Sequence, residues 1–417
     1  MKKALVPLLL CVISPLFILA QETSGFGIKF SGFVKTDVFW DSRQTVSVRE
    51  GHFNLYPKNK LPDLDGKDIN DRSNFNMLSI QTRLKGTITG PDALGAKTSG
   101  VIEGAFFGHS DGDINGFRLR HAFVKLSWTH TELLVGQYWH PMFIAGAFPG
   151  VVSFNTGAPF QPFSRNPQIR LSQDLGKFRI IATALSQLDF KDTGPNGLSS
   201  EYLRNSAIPE LNLRFEFHNK NDERGCALLA GIGGNYKVLT PRLETDSTFK
   251  TSETVDAYSG MFYAKWKNPL LTVKLEAVYG QMFYNLTMLG GYAVEDVTDP
   301  TKDFRSYSPV NTLSFWGDIH TNGKKWQVGL FGGYSKNMGA GRDLYSLDPE
   351  DYYSRGSNIA YLYRISPRFV YNAGKFRIAP EIEYTVAAYG KTDVNGEVID
   401  SEEVANFRAL LGVYYFF

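Results

Sequence analysis

The chain has 417 residues, of which 21% are charged and 14% aromatic, with 40 glycines and a formal net charge of +2. After the first twenty residues no apolar run approaches the ~18 residues of a spanning helix, which excludes a helical membrane protein. The near-neutral charge argues against a nucleic-acid binder, and the two cysteines, Cys11 and Cys226, provide neither a disulfide framework nor a cysteine metal site.

Residues 1–20 read as a cleaved secretory signal: Lys2 and Lys3 precede an apolar run over 4–19, and Ala20 stands before the polar Gln21. Cys11 does not read as a lipid-anchor cysteine, because bulky Leu10 precedes it and the apolar run continues past it. Residues 21–417 then form one formally neutral domain. The first strand is expected over 26–40. Ile28, Phe30, Val34, Val38 and Trp40 share one face there, and Lys29, Ser31, Lys35 and Asp37 the other, because successive side chains alternate. So early a strand leaves no room for an N-terminal plug.

A polar loop over 41–73 follows, and its Asp63, Asp65, Asp68 and Asp71 read as a solvated run rather than a metal site. Strand two is predicted over 78–89, with Leu78, Ile80, Leu84 and Ile88 outward and Gln81, Arg83, Lys85 and Thr87 inward. Strand three, near 101–107, carries Glu103. In loop 109–116, Asp111, Asp113 and Asn115 have the spacing of the first half of a calcium loop, with Gly116 at the sixth position. The twelfth position is Ala122 where a bidentate Glu is needed. The stretch reads as a turn, or as half a calcium site that a neighbouring subunit completes. Strand four, over 117–128, puts Arg118 and Arg120 in phase with Val124, Leu126 and Trp128. Either a bulge resets the phase, or the arginines sit at the rim.

Strand five is expected over 131–138. Residues 139–166 then lack a strand pattern, are rich in Pro, Gly and aromatics, and carry Arg165 and His140 but no carboxylate. That apolar content predicts packing, either inside a lumen as a constriction or as a subunit or surface contact. Strands six (168–174, with Arg170) and seven (178–188) are joined by a short turn at Asp174-Leu175-Gly176-Lys177. Strand eight alternates Leu211, Leu213, Phe215 and Phe217 with Glu210, Asn212, Arg214 and Glu216. Later strands are separated by polar loops near 240–254, 284–306, 336–356 and 390–403, alternating with short links at 267–269, 321–324 and 372–375. Strand fifteen sets Phe376, Ile378, Ile382, Tyr384 and Val386 against Arg377, Glu381, Glu383 and Thr385. The last strand, over 404–417, keeps Phe407, Ala409, Leu411, Val413, Tyr415 and Phe417 on one uncharged face, with Arg408 on the other. A final Phe after such alternation resembles the assembly signal of bacterial outer-membrane barrels.

The count is about sixteen antiparallel strands, even and closed, with short turns on one rim and long loops on the other. The outward faces are nearly free of charge while the inward faces carry it. A soluble sandwich inverts that arrangement, whereas Arg or Lys at mid-bilayer costs a barrel ~2–4 kcal/mol. Sixteen strands enclose more space than side chains fill, so an aqueous channel is expected. Trp40, Trp128, Trp266 and Trp326 near strand ends read as interface-belt residues. Gly231, Gly233 and Gly234 read as close packing rather than a nucleotide fingerprint.

The stretches SGFVKTDVFWDSR (31–43), FRLRHAFVKL (117–126), TELLVGQYWHPMF (131–143) and NPQIRLS (166–172) resemble DcaP-type trimeric porins. The resemblance covers roughly the first 170 residues; beyond them only strand rhythm and the terminal Phe match. It implies an outer-membrane, homotrimeric channel for small anionic, dicarboxylate-like solutes. The N-terminal coiled coil of some members has no counterpart here. The residues themselves point toward anions, with Lys35, Arg83, Lys85, Arg118, Arg120, Arg165 and Arg170 as candidate constriction or solute-binding groups. Pairing of these arginines with Glu103 or loop acids for structure is the alternative. No GxSxG or HExxH motif appears and the seven histidines form no spaced set, so no enzyme is expected. A non-conducting surface barrel and a hydrophobic-solute channel are the competing readings.

Overall fold

The structure, a computed structural model, describes residues 25–348 and 350–417, so the expected leader lies outside the described residues. Sixteen antiparallel strands close into a barrel: β1 (Gly27–Asp41), β2 in two pieces (Asn74–Leu78 and Arg83–Thr89), β3 (Lys97–Ala105), β4 (Arg118–Ser127), β5 (Thr131–Trp139), β6 (Arg165–Leu175), β7 (Phe178–Leu185), β8 (Glu210–Asn221), β9 (Cys226–Leu239), β10 (Val255–Lys267), β11 (Leu271–Gln281), β12 (Asn311–Thr321), β13 (Trp326–Asn337), β14 (Ile359–Ala373), β15 (Phe376–Thr392) and β16 (Val398–Phe416). The first and last strands pair from Phe33↔Phe416 to Asp41↔Arg408, which removes any free edge. The tight turns after β6 and β14 are two-residue Gly-Lys links, with Gly176 at φ +67° and Gly374 at φ +61°. Only glycine adopts that backbone without a Cβ penalty. The last long loop is shorter than expected, because β15 extends to Thr392 and β16 begins at Val398.

The predicted faces hold on most strands. Leu213, Phe215, Ile232, Phe262, Phe315, Ile365, Ile382 and Leu411 project outward and exposed. Asn212, Arg214, Glu216, Asp318, Arg364, Arg368, Glu381, Glu383 and Arg408 are buried on the inside. Apolar side chains without protein neighbours on every wall mean that the wall faces lipid. Trp40, Trp266 and Trp326 project outward at strand ends. A side chain at Gly231 would collide with the Tyr263 hydroxyl, as close packing requires.

Alternation is interrupted on β2 and β4, the two strands that bear on the site. Along β1, Phe33 pairs with Arg83 and Asp37 with Leu78, so β2 carries one residue more than its partner over that interval. The extra residue flips the phase. Phe75 and Met77 face out in the first piece and Leu84 in the second, while Ile80 is buried in the lumen and Leu78 packs inward. The outward placement expected for Leu78 and Ile80 is therefore corrected. On β4 a register shift between Glu103↔His121 and Gly104↔Leu119 marks a bulge at Arg120. It lets Arg118, Arg120 and His121 all face inward ahead of the outward Val124.

The long-loop end of the barrel is filled. A hairpin (Thr45–Val48 and Phe53–Pro57) and the loop after β5 contribute Phe53, Leu55, Phe143, Phe154, Phe160 and Phe163 to an apolar core inside the wall. A three-stranded sheet (Gly290–Asp299, Phe304–Pro309, Tyr352–Arg355) and a short helix (Glu201–Asn205) belong to other loops on that rim.

Candidate functional site

Residues 140–164, between β5 and β6, cross the lumen and are held by its far walls. Lys35 Nζ donates to the Val152 carbonyl at 2.7 Å. The Glu381 carboxylate accepts the amides of Val152 (2.6 Å) and Ser153 (3.2 Å). Glu383 accepts the Ser153 hydroxyl at 2.7 Å and the Asn155 amide at 3.0 Å. Arg364 donates to the Ala158 carbonyl at 3.0 Å, and Ser314 to that of Phe160 at 3.1 Å. Lys265 and Lys274 hold the carbonyls of Gly146 and Phe148, each at 2.9 Å. These anchors lie on β1, β10, β11, β12, β14 and β15, so the loop narrows the barrel from within.

Two cavities flank this constriction. The lower, about 320 Å³, is lined by Arg83, Glu103, Arg120 and His121 on one side and by Trp139, Phe143, Phe148 and Phe154 on the other. The upper, about 400 Å³, lies toward the long-loop rim between the 45–57 hairpin and the 188–198 loop, with Arg49, Arg118 and Asp189 in its wall. A layer of rings lies between them: Phe53, from the upper wall, is 5.6 Å from Phe154 and 5.3 Å from Phe163, both of the lower wall.

The arginines gather along the barrel wall beside this layer, each pair sharing one acid. Arg165 Nε donates to Asp189 at 2.8 Å, and Arg118 pairs with the other oxygen of the same carboxylate. Arg120 Nε donates to Glu103 Oε1 at 2.8 Å, with Arg83 3.4 Å from that oxygen. Arg49 completes the group without an acid: among the described residues no carboxylate lies within 4.0 Å of it, and its Nε and Nη1 have no hydrogen-bond partner. The buried Phe107 ring joins the set. Its centre is 4.6 Å from the Arg49 guanidinium, 5.7 Å from Arg118, 5.5 Å from Arg120 and 5.6 Å from Arg165. Burial would push the Asp189 carboxyl up, but Arg165 and Arg118 outweigh it and hold the group below the usual carboxylate range. Burial and the neighbouring Arg118 bring Arg49 down to about 9, which leaves it charged at neutral pH.

Of the seven predicted basic residues, Arg83 and Arg120 line the lower cavity and Arg118 the upper, while Arg165 reaches them through Asp189 from outside both linings. Arg165 belongs to the first position of β6 rather than to the inserted loop. Lys35 is engaged in holding that loop and in a 2.9 Å ion pair with Asp37. Arg170 donates to the Trp139 carbonyl at 2.8 Å, outside both cavity linings. Lys85 pairs across the sheet with Glu103 and is also outside them. The other basic residue of that stretch, His140, is bonded to Glu210 at 2.9 Å.

Loop 109–116 is an ordered turn held by its own acids. Asp113 accepts the amides of His109 and Ser110, and Asp111 accepts that of Glu50. Among the described residues no three His, Cys, Asp or Glu side chains converge as a metal site. Asp68 caps its own loop and pairs with Arg43 at 3.0 Å.

Arg49, Phe107 and Asp189 escaped the sequence reading. Arg49 and Asp189 lie outside the barrel strands, where alternation assigns no face, and Phe107 reads as one more aromatic at a strand end.

No protein-family model and no curated protein sequence matches the chain. Solved structures do. The outer membrane channel DcaP of Acinetobacter baumannii superposes with a TM-score of 0.68 at 16% identity, covering 94% of this chain and 98% of that one. OmpT, an outer membrane protein of Vibrio cholerae, solved in a trimer form, gives 0.54 at 11% identity, covering 94% and 99%. An anion-selective porin from Comamonas acidovorans gives 0.53 at 11% identity, covering 94% and 100%. The chain therefore has the fold of the bacterial outer-membrane porins, as the resemblance to DcaP-type porins implied.

Proposed function

We propose that this chain is a bacterial outer-membrane porin, a passive channel for small hydrophilic solutes that favours small anions such as carboxylates. The observation that carries the reading is the charge at the passage: Arg49, Arg83, Arg118, Arg120 and Arg165 face only Glu103 and Asp189. A low-dielectric lumen with one sign in excess concentrates the opposite ion. Arginine adds a planar fork that fits both oxygens of a carboxylate. The arrangement supports diffusion and selection rather than bond-making, with the described histidines paired or isolated. A homotrimer in the outer-membrane lipid is part of the proposal, supported by the trimer form of the Vibrio cholerae relative in fold.

The test is the purified protein in a planar bilayer under a potassium chloride gradient. Chloride preference in the reversal potential and closure in three equal steps are expected; potassium preference rules the anionic reading out. The ring layer of Phe53, Phe154 and Phe163 favours a second reading, a barrel shut at rest, for which the same recording stays silent.

A further inference from the structure

We propose that the upper cavity is a binding site for a monocarboxylate with an apolar body, held by its acid group at Arg49 and Arg118; this deepens, and rests on, the reading of the chain as an anion-favouring channel. Arg49 is the first reason. It is 1% exposed, lines the cavity, and among the described residues has neither an acid within ion-pair distance nor a partner for Nε and Nη1. A buried charge left in this state is costly, and such groups are normally paired. The one carboxylate in the cavity wall, Asp189, is already engaged by both Arg118 and Arg165. Three guanidiniums to one acid leave the end of the cavity ready to take a further negative charge. Lys191 and Arg355, also in the lining, add to that sign.

The rest of the wall decides what the anion carries. Phe53, Leu55, Leu188, Phe190 and Leu198 give the rest of the wall much apolar surface, with Tyr284, Thr287 and Arg355 beside them. A volume of about 400 Å³ lies within the ~300–1,000 Å³ typical of small-molecule sites. An inorganic anion or acetate would satisfy the arginines and leave those walls against water. A carboxylate on a ring or a branched chain would meet both. The backbone of Arg49, at φ +59°, is in the left-handed region that a non-glycine residue rarely adopts. Glu50 and Gly51 follow it at φ +51° and +86°, so the three make the tight turn of the 45–57 hairpin. Here the twist turns the side chain onto the Phe107 and Phe154 rings, with the guanidinium 4.6 and 5.4 Å from their centres.

The experiment compares three probes on the wild-type channel in a bilayer, added from the long-loop side: benzoate, acetate and benzyl alcohol. Benzoate is expected to interrupt the chloride current at a concentration at least tenfold below that of acetate, with benzyl alcohol without effect. Arg49→Gln should raise the benzoate concentration needed at least tenfold. Equal potency of benzoate and acetate, or of benzoate and benzyl alcohol, overturns the proposal without recourse to a variant. Undiminished benzoate block in folded Arg49→Gln channels overturns it too. A channel that prefers chloride yet ignores benzoate sinks this inference alone, whereas one that prefers potassium sinks the anionic reading beneath it.

Discussion

The guanidinium of Arg49 lies 4.6 Å from the centre of the Phe107 ring, and three further arginines approach the same ring within 5.7 Å. Four like charges gather there because the aromatic faces attract each of them and two carboxylates offset part of the repulsion. Phe107→Leu keeps the volume roughly apolar but removes the quadrupole. A desolvated cation–π contact contributes up to ~2 kcal/mol. The variant is expected to lose at least ~2 kcal/mol in denaturant unfolding and to show noisier single-channel current. An unchanged midpoint and trace would deny Phe107 its organising part.

Asp189 sets the local balance of charge, since it alone answers Arg118 and Arg165. Asp189→Asn removes one negative charge and leaves the arginines in place. The reversal potential should move further toward chloride. Breaking a buried pair costs ~3–5 kcal/mol, so local loosening of the 188–198 loop should accompany the shift, read as faster hydrogen exchange. Movement toward potassium would contradict the placement of these groups in the ion path.

The crossing loop depends on Glu381. Its two oxygens take the amides of Val152 and Ser153, hydrogen bonds that contribute ~0.5–1.5 kcal/mol each. In Glu381→Ala the barrel should still fold, because its sheet pairing does not involve that side chain. The loop should become cleavable by protease from the long-loop side and the conductance should rise. A protease-resistant loop of native conductance would show that the remaining anchors suffice.

His52, in the first long loop, gives a pH dependence of known sign. Burial pushes its imidazole down to about 4; Asp37, 3.1 Å away, works against this, while Lys35 and Arg49 reinforce it. The folded form therefore binds fewer protons than the unfolded one between pH 6.5 and about 4. The stabilisation is full above 6.5 and is lost as pH falls through that window, by at most about 3 kcal/mol. Hydrogen exchange of the 45–57 hairpin should accelerate from pH 7 to 4, and His52→Gln should flatten the profile. Exchange slowing on acidification would reverse the assignment.

The outer wall can be tested by depth. Ile232 lies at the middle of β9 and faces outward, 57% exposed, whereas the outward Leu119 is near the long-loop end of β4. Ile232→Arg should cost ~2–4 kcal/mol of folding free energy in lipid vesicles and Leu119→Arg only ~0–1. Equal costs would mean that the wall does not face a bilayer.

Strand rhythm, outward and inward faces and closure were legible in the chain because alternation is a local property. A strand such as β8 declares both faces within eight residues, Glu210 to Phe217, whatever it pairs with. The inserted loop was legible too, since Trp139 to Asn166 carries too many aromatics to wave in solvent. Phase was legible only where no residue is added. The extra residue in β2 and the bulge at Arg120 exist only relative to a partner strand, so alternation alone puts Leu78 and Ile80 on the wrong face and does not decide Arg118.

By itself the sequence determined a cylinder with apolar side chains outside and charged ones within, because period-two patterning needs no distant contact. The tertiary structure decided which charges meet. Arg49, Arg118 and Arg165 are separated by tens of residues or more, and Asp189 lies beyond all three. Only closure of the barrel, and the folding of its loops into the lumen, brings the three arginines around Phe107, sets Asp189 against two of them, and leaves Arg49 without an acid among the described residues.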